Sequence, residues 1–445
     1  MIPRPLTTSP RAAWSARWAW IIGIASCWPI IFLREDFARL FWFGDEWDLL
    51  DQIWRTGFWD WMWQAFAENF VPLFKLLWYG SVVVGNGDYR LVMGAMWLTH
   101  AVNVALLGLL LREAGFRWVT AAAVMIGFGF TSTNLETLGW SVQWSAVLAT
   151  GFFLAAAWWM LRRLAVNPAG STRDLLVLGA LCAASALCFS RGVLTGSALA
   201  VIALWPASGN WFAQSGLRLR NAATAFAPGL AVAILILITQ PGGNHAHLGE
   251  ETDKLVEMAR YAAWYYGMNP FHRLFDISSW GWRTTLLITI GKIALTIWAL
   301  RRARGGEAWL CWLLVIFDLG NALLLGLGRY HTGLETANSS RYQYASLICT
   351  LPLLAVAVER VLDGLPGWGG RQLRTAVAVI ALVILTWGVT RRWAFEIRWF
   401  AHSRGQVPRD LLFTDPSPPA EGAVPGIPFL RTDRAKQLIE HYNLH

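Results

Sequence analysis

Uncharged apolar runs close to the length of a bilayer crossing recur along this chain, and they limit its fold more than any other feature. Leu91–Leu111, Ala222–Thr239 and Thr375–Thr390 are examples. A run of about 20 such residues crosses the hydrocarbon core as a helix. Lipid gives unpaired backbone groups no water to bond, so each run must satisfy its own N–H and C=O groups as a helix. Buried helices of a soluble protein could explain one or two such runs, but not a series along the whole length. Only 15% of residues are charged, against about a quarter in a soluble protein. The expected fold class is an all-α polytopic membrane protein.

About eleven spans are expected, at 16–34, 90–112, 116–133, 141–161, 174–190, 192–206, 222–240, 284–301, 308–328, 341–359 and 374–391. The net charge of +9 does not point to nucleic acid, because the Lys and Arg residues lie in short loops between apolar runs. Such loops are Arg112/Arg117, Arg162/Arg163/Arg173, Arg218/Arg220, Arg301/Arg302/Arg304 and Arg360/Arg371/Arg374. All fall on the cytoplasmic side if the N-terminus is cytoplasmic. The basic N-terminus and Trp18–Leu33 read as a retained first span with no small-residue cleavage site. The 29 Trp suit broad interfacial belts. The five Cys lie in apolar runs and form no disulfide or metal-binding spacing.

This parity requires residues 71–86, which include Lys75, to lie along the interface rather than cross. It also makes 174–190 and 192–206 a hairpin with Arg191 at its outer turn. The outer face then collects 35–89, 241–283, 329–340 and the tail from 392. The expected organisation is a transmembrane domain, 1–391, and an extracytoplasmic tail, 392–445. The tail holds a Pro/Gly-rich connector and a short amphipathic helix in RTDRAKQLIEHYN.

The first outer loop concentrates chemistry. Asp45, Glu46, Asp48 and Asp51 fall within seven positions, and Asp45 and Asp48 would share a helix face. Beside Phe41, Trp42 and Trp47, such a carboxylate could have a raised pKa and act as a general base. It could equally mark the non-cytoplasmic end of the span. Lys75 could meet a lipid phosphate or only anchor its helix by snorkelling. Glu136 faces a cavity or caps a helix. Asp318 and Asn321 lie three apart in a span, and Asp318 is either functional or paired with Lys292. His245 and His247, with Glu250 and Glu251, could hold a metal only on an extended strand, and no metal is expected. His331 reads as a loop histidine, and Arg329 and Arg341 as an anion-binding rim. No phosphate-binding glycine loop or hydrolase motif occurs in a usable context, and no cofactor is expected.

In order and topology, residues 16–360 resemble the GT-C superfamily of glycosyltransferases, which includes protein O-mannosyltransferases and lipid A aminoarabinose transferases. Asp45-Glu46 matches the acidic motif of that family's first outer loop. Asn69-Phe70-Val71-Pro72-Leu73 stands where the family has a His- or Lys-Pro-Pro-Leu motif, with the second Pro missing. Ser190-Arg191-Gly192 stands at its Lys-Gly pair, with Arg for Lys, and Ser340-Arg341-Tyr342 at a Ser-Arg-Tyr of bacterial members.

The resemblance implies a polyprenyl-phosphate-sugar donor, a lipid, glycan or protein acceptor, and surrounding membrane lipids as partners. It implies an active site on the outer face of a bacterial inner membrane. Asp45 would be the base and Glu46 its orienting neighbour, with Arg191, Arg341 and Lys75 neutralising the leaving phosphate. Asp48, Asn69, Glu136, Arg329 and Tyr342 would complete the substrate site. Two other classes fit the same chain. A transporter or flippase of an anionic or lipid-linked substrate would show repeated halves. An O-antigen polymerase or ligase would lean on Arg260, His272, Arg273 and Arg341.

Overall fold

The computed structural model describes residues 10–66, 69–165, 167, 169–204, 215–239, 254–274, 282–364, 392–413, 422–424 and 427–445. The N-terminal part comprises α1 (Pro10–Ala25), α2 (Trp28–Phe32), α3 (Arg34–Phe37), α4 (Asp45–Thr56), α5 (Phe58–Trp63) and α6 (Pro72–Val84). The bundle follows as α7 (Tyr89–Glu113), α8 (Trp118–Gly129), α9 (Leu135–Leu138), α10 (Trp144–Trp159), α11 (Thr172–Ala186) and α12 (Val193–Leu204). It continues with α13 (Ser215–Thr239), α14 (Leu255–Met268), α15 (Phe271–Leu274), α16 (Trp282–Arg302), α17 (Gly306–Arg329) and α18 (Gln343–Gly364). The tail holds α19 (Trp393–Ala401), α20 (Val407–Phe413), a small antiparallel hairpin of β1 (Ala423–Val424) and β2 (Ile427–Arg431), and α21 (Thr432–Tyr442).

Local sequence explains several boundaries. Asp88 caps α7 by accepting from the Arg90 N–H at 2.9 Å. Ser171 and Asp174 form a reciprocal capping box on α11. Pro72 opens α6, where its missing N–H costs nothing.

The chain is a helical membrane protein. Among the described residues, six helices are long and apolar enough to cross a bilayer: Tyr89–Glu113, Ser141–Leu164, Ser215–Ile238, Arg283–Arg302, Gly306–Thr332 and Ser340–Arg360. These correspond to six of the eleven expected spans. The runs at 16–34, 116–133 and 174–190 form shorter helices, because turns at Ser26–Cys27, Phe130–Asn134 and Leu187–Gly192 cut them off, and Val193–Leu204 is the described part of the run at 192–206. The run at 374–391 lies outside the described residues. With 13 residues, α6 rises about 20 Å, short of the roughly 30 Å hydrocarbon core.

Arg117, Arg302 and Arg360, from three of the basic loops, meet at one end of the bundle. There the Arg117 side chain reaches Glu359 at 3.2 Å and also pairs with Asp363. Arg360 bonds Glu307 and, at 2.9 Å, Asp363. The N-terminal part and the tail pack together at the opposite end. Arg434 of α21 reaches Asp51 of α4 at 2.6 Å, and the Tyr442 hydroxyl donates to the Leu50 carbonyl at 3.1 Å. The ring of Trp54 stacks on His441 at 4.4 Å.

This packing takes up six of the tryptophans. Trp42, Trp47, Trp61, Trp78, Trp97 and Trp393 are fully buried, and several pack edge to face, as Trp42 does with Trp78 at 5.9 Å. These six indoles fill the core beneath the first loop and the tail, while others, Trp18, Trp20, Trp59 and Trp399 among them, are exposed.

Candidate active site

The first loop begins where Gly44, at φ +57°, turns the chain into α4. That backbone region strains any residue with a Cβ. Glu46, one residue into the helix, is fully buried. It accepts from the Phe43 N–H at 2.6 Å, the Tyr89 hydroxyl at 3.0 Å, the Ser141 N–H at 2.8 Å and the Ser141 hydroxyl. Burial pushes its pKa up to about 7 against these hydrogen bonds. Glu46 makes no hydrogen bond to Asp45. It clamps the start of α4 to α7 and to the Ser141 turn, fixing the backbone from which Asp45 projects.

Asp45 is half-buried at the wall of a cleft of about 320 Å³. Asn69, Arg191, Arg329, Arg341 and Tyr342 line the same cleft, so it gathers six of the ten expected site residues. They come from five separate stretches of sequence. Burial raises the Asp45 pKa, Asp48 adds to the rise, and Arg341 and Arg329 oppose it. Among the described residues, the Asp45 carboxylate has neither a hydrogen bond nor an ion pair.

Arg191 occupies the turn between α11 and α12. That turn is tight because Gly192 lies against the Ser185 carbonyl, where a Cβ would come within 1.9 Å. The Asn69 side chain accepts from the Ser190 N–H at 3.2 Å, which joins the first loop to this turn. Arg191 is buried, and its Nε has no hydrogen-bond partner among the described residues. Its nearest described aromatic contact is the Phe189 ring at 5.2 Å. Arg341 stacks on Tyr342 at 5.2 Å and also leaves its buried Nε unpartnered. None of Arg191, Arg329 and Arg341 forms an ion pair among the described residues. Burying a cation without a counter-charge is costly, so this cleft is poised for an anion.

Of the remaining expected residues, Glu136 is tied to the cleft wall through Arg341. Glu136 accepts from the Arg341 N–H at 3.2 Å and from the Ser340 hydroxyl, and lies 3.6 Å from Arg404. It therefore holds the Ser340–Tyr342 turn in place. Arg404 stacks over Phe400 at 4.2 Å and Phe43 at 4.9 Å. The sequence reading did not include this tail residue, because nothing in HSRGQ distinguishes it from an ordinary loop arginine.

The structure does not bring Lys75 to the cleft, either as a phosphate contact or as a snorkelling anchor. Its buried ammonium donates to the carbonyls of Trp61 at 2.6 Å and Gln64 at 2.9 Å, and sits 4.3 Å from the Trp61 ring. Burial lowers its pKa to about 8. The lysine thus satisfies carbonyls at the C-terminal end of α5. Asp48 shares its helix face with Asp45 but opens on a second groove. It accepts from the Gln52 amide at 2.8 Å, and burial raises its pKa.

Asp318 is paired with Lys292 at 3.0 Å, and that ammonium also donates to the Asn269 carbonyl at 2.7 Å. Asn321 donates to the Tyr265 hydroxyl at 2.7 Å and reaches the cleft wall. His331 and Arg260 are exposed, and Arg273 donates to the Asn338 carbonyl at 3.4 Å. None of these three lines the cleft. His245, His247, Glu250 and Glu251 lie outside the described residues.

Among the described residues, the arrangement is one carboxylate without a cation partner facing three cations without carboxylate partners. Apolar residues of α17, Leu324, Leu325 and Leu327, continue the cleft wall. Comparison with protein-family models, curated proteins and solved structures gave no match to this chain.

Proposed function

We propose that this chain is a GT-C-type membrane glycosyltransferase using a polyprenyl-phosphate-linked sugar on the outer face of a bacterial inner membrane. One observation carries the reading: Asp45 and the unpaired Arg191, Arg329 and Arg341 line one cleft at the end of a membrane helix bundle. The motif order and the side of the bundle opposite the basic loops support it. Leu324 and Leu327 are partly exposed on α17, which gives a prenyl chain an apolar path from the bilayer to the cleft.

The chemistry follows from the charges. Asp45 takes the proton of an acceptor hydroxyl, and the acceptor oxygen attacks the anomeric carbon from the face opposite the phosphate. The bond from that carbon to the phosphate oxygen breaks, and its electron pair leaves with the prenyl phosphate. Three guanidiniums neutralise the charge that develops there, with bidentate hydrogen-bonding capacity that lysine lacks. A raised pKa brings the base closer to the working pH, which favours proton transfer. The product is inverted at the anomeric carbon.

The test is incubation of the protein in nanodiscs with radiolabelled polyprenyl-phosphate sugars, wild type beside Asp45→Asn. Released or transferred label that disappears in a folded Asp45→Asn protein is the expected result. Turnover untouched by the substitution would remove Asp45 from the reaction. Donor lipid that changes leaflet without losing its sugar would overturn the enzyme reading.

A further inference from the structure

A second groove, of about 430 Å³, meets the first at Asp45. Its walls are the outer side of α4 and the tail elements β2 and α21, with Asp48, Asp51, Phe429 and Arg434 among its lining. Asp45 is the residue common to the linings of the two cavities.

Their electrostatics are opposite. In the first cleft the cations have no ion pairs. In the second, each arginine is already held: Arg55 and Arg434 by Asp51, both at 2.6 Å, and Arg431 by Asp433 at 3.1 Å. Arg434 is further fixed over the Trp54 ring at 4.2 Å. Asp45 and Asp48 have no ion pair among the described residues; Asp48 Oδ2 accepts from the Gln52 amide, which leaves the Asp45 carboxylate and Asp48 Oδ1 as acceptors. Such a surface offers acceptors to hydroxyl groups and no free charge to an anion. Phe429 is 57% exposed in the same lining, an aromatic side chain of the kind against which the C–H face of a sugar packs.

The geometry points to the second groove as a binding site for a neutral polyhydroxylated acceptor, a glycan residue whose hydroxyl is delivered to Asp45. This assignment rests on the glycosyltransferase reading for its catalytic meaning, but the binding itself does not. It gives the C-terminal tail a function. The hairpin and α21 form the wall that selects the acceptor, while the bundle and the first loop hold the donor phosphate.

The experiment measures binding of a panel of neutral methyl glycosides to the full-length protein in nanodiscs by saturation-transfer NMR. At least one glycoside binds the wild type. Phe429→Ala weakens it roughly tenfold, from loss of an aromatic contact. Phe429→Tyr retains binding, and so does Arg341→Ala, whose side chain belongs to the other cavity. Equal binding to wild type and Phe429→Ala, absence of any glycoside binding, or preference for sugar phosphates overturns the assignment. Failure of the catalytic reading is distinguishable, because glycoside binding would persist while donor turnover ignored Asp45→Asn.

Discussion

Arginines occupy both ends of this helix bundle, and their surroundings differ. At the basic end, Arg117 and Arg360 are matched to Glu359, Asp363 and Glu307. At the cleft end, Arg191, Arg329 and Arg341 face a shared cavity without one ion pair among the described residues. Charges paired within the protein stabilise it and have little capacity left for a ligand. Charges left unpaired and partly desolvated cost stability and retain their field for a substrate. The contrast separates residues whose loss should lower stability from residues whose loss should lower activity.

The largest effect tests the cleft. Asp45→Asn should reduce sugar transfer about 10²–10⁴-fold, the usual contribution of a positioned general base. Radiolabel transfer in nanodiscs measures it, and the thermal midpoint should hold. Next, Arg191→Met should lower turnover about 10²–10³-fold by removing one charge-stabilising group. Its thermal midpoint should stay level or rise, because a buried unpaired cation is gone. A sharp fall in that midpoint would erase the contrast.

Glu46 gives a pH signature. Its folded pKa of about 7 lies above the ordinary carboxylate value. The folded state therefore holds the proton more tightly than the unfolded chain. The resulting stability is full below the ordinary value and is lost as pH rises through about 7. Unfolding followed from pH 5 to pH 8 should show a loss of about 2–3 kcal/mol. Glu46→Gln should flatten that slope.

At the basic end, Glu359→Ala should cost about 2 kcal/mol by leaving the Arg117 N–H without its acceptor and its guanidinium with Asp363 alone, with donor turnover unchanged. Thermal unfolding and the transfer assay together check this. Arg434→Ala should cost least, about 1 kcal/mol for a partly exposed ion pair with a cation–π contact. A larger loss in unfolding experiments would make the tail a main support of the fold.

Much of this was legible in the sequence, and the exceptions follow one pattern. Asp45, Arg191, Arg329 and Arg341 could be picked out as charged residues in outer loops and turns beside apolar runs, whereas Asn69 and Tyr342 entered only through the motifs of the resemblance. Lys75 satisfies the same criterion, yet its ammonium is committed to the carbonyls of Trp61 and Gln64. Glu46 looked like a partner of Asp45 but binds Ser141 and Tyr89, 95 and 43 residues away. Arg404 stands in an undistinguished stretch and acquires its role through Glu136, far earlier in the chain.

The sequence by itself determined that the chain is helical and lies in a membrane. It also determined which loops carry positive charge, because hydropathy and loop charge are properties of contiguous residues and the bilayer imposes them locally. Tertiary structure decided where the apolar runs break into shorter helices, and one of those breaks, at Leu187–Gly192, places Arg191 in the cleft. It also decided which charged side chains are committed to structure and which stay open. That choice depends on partners brought together from distant parts of the chain, and a carboxylate or guanidinium carries no local mark of whether folding will supply one.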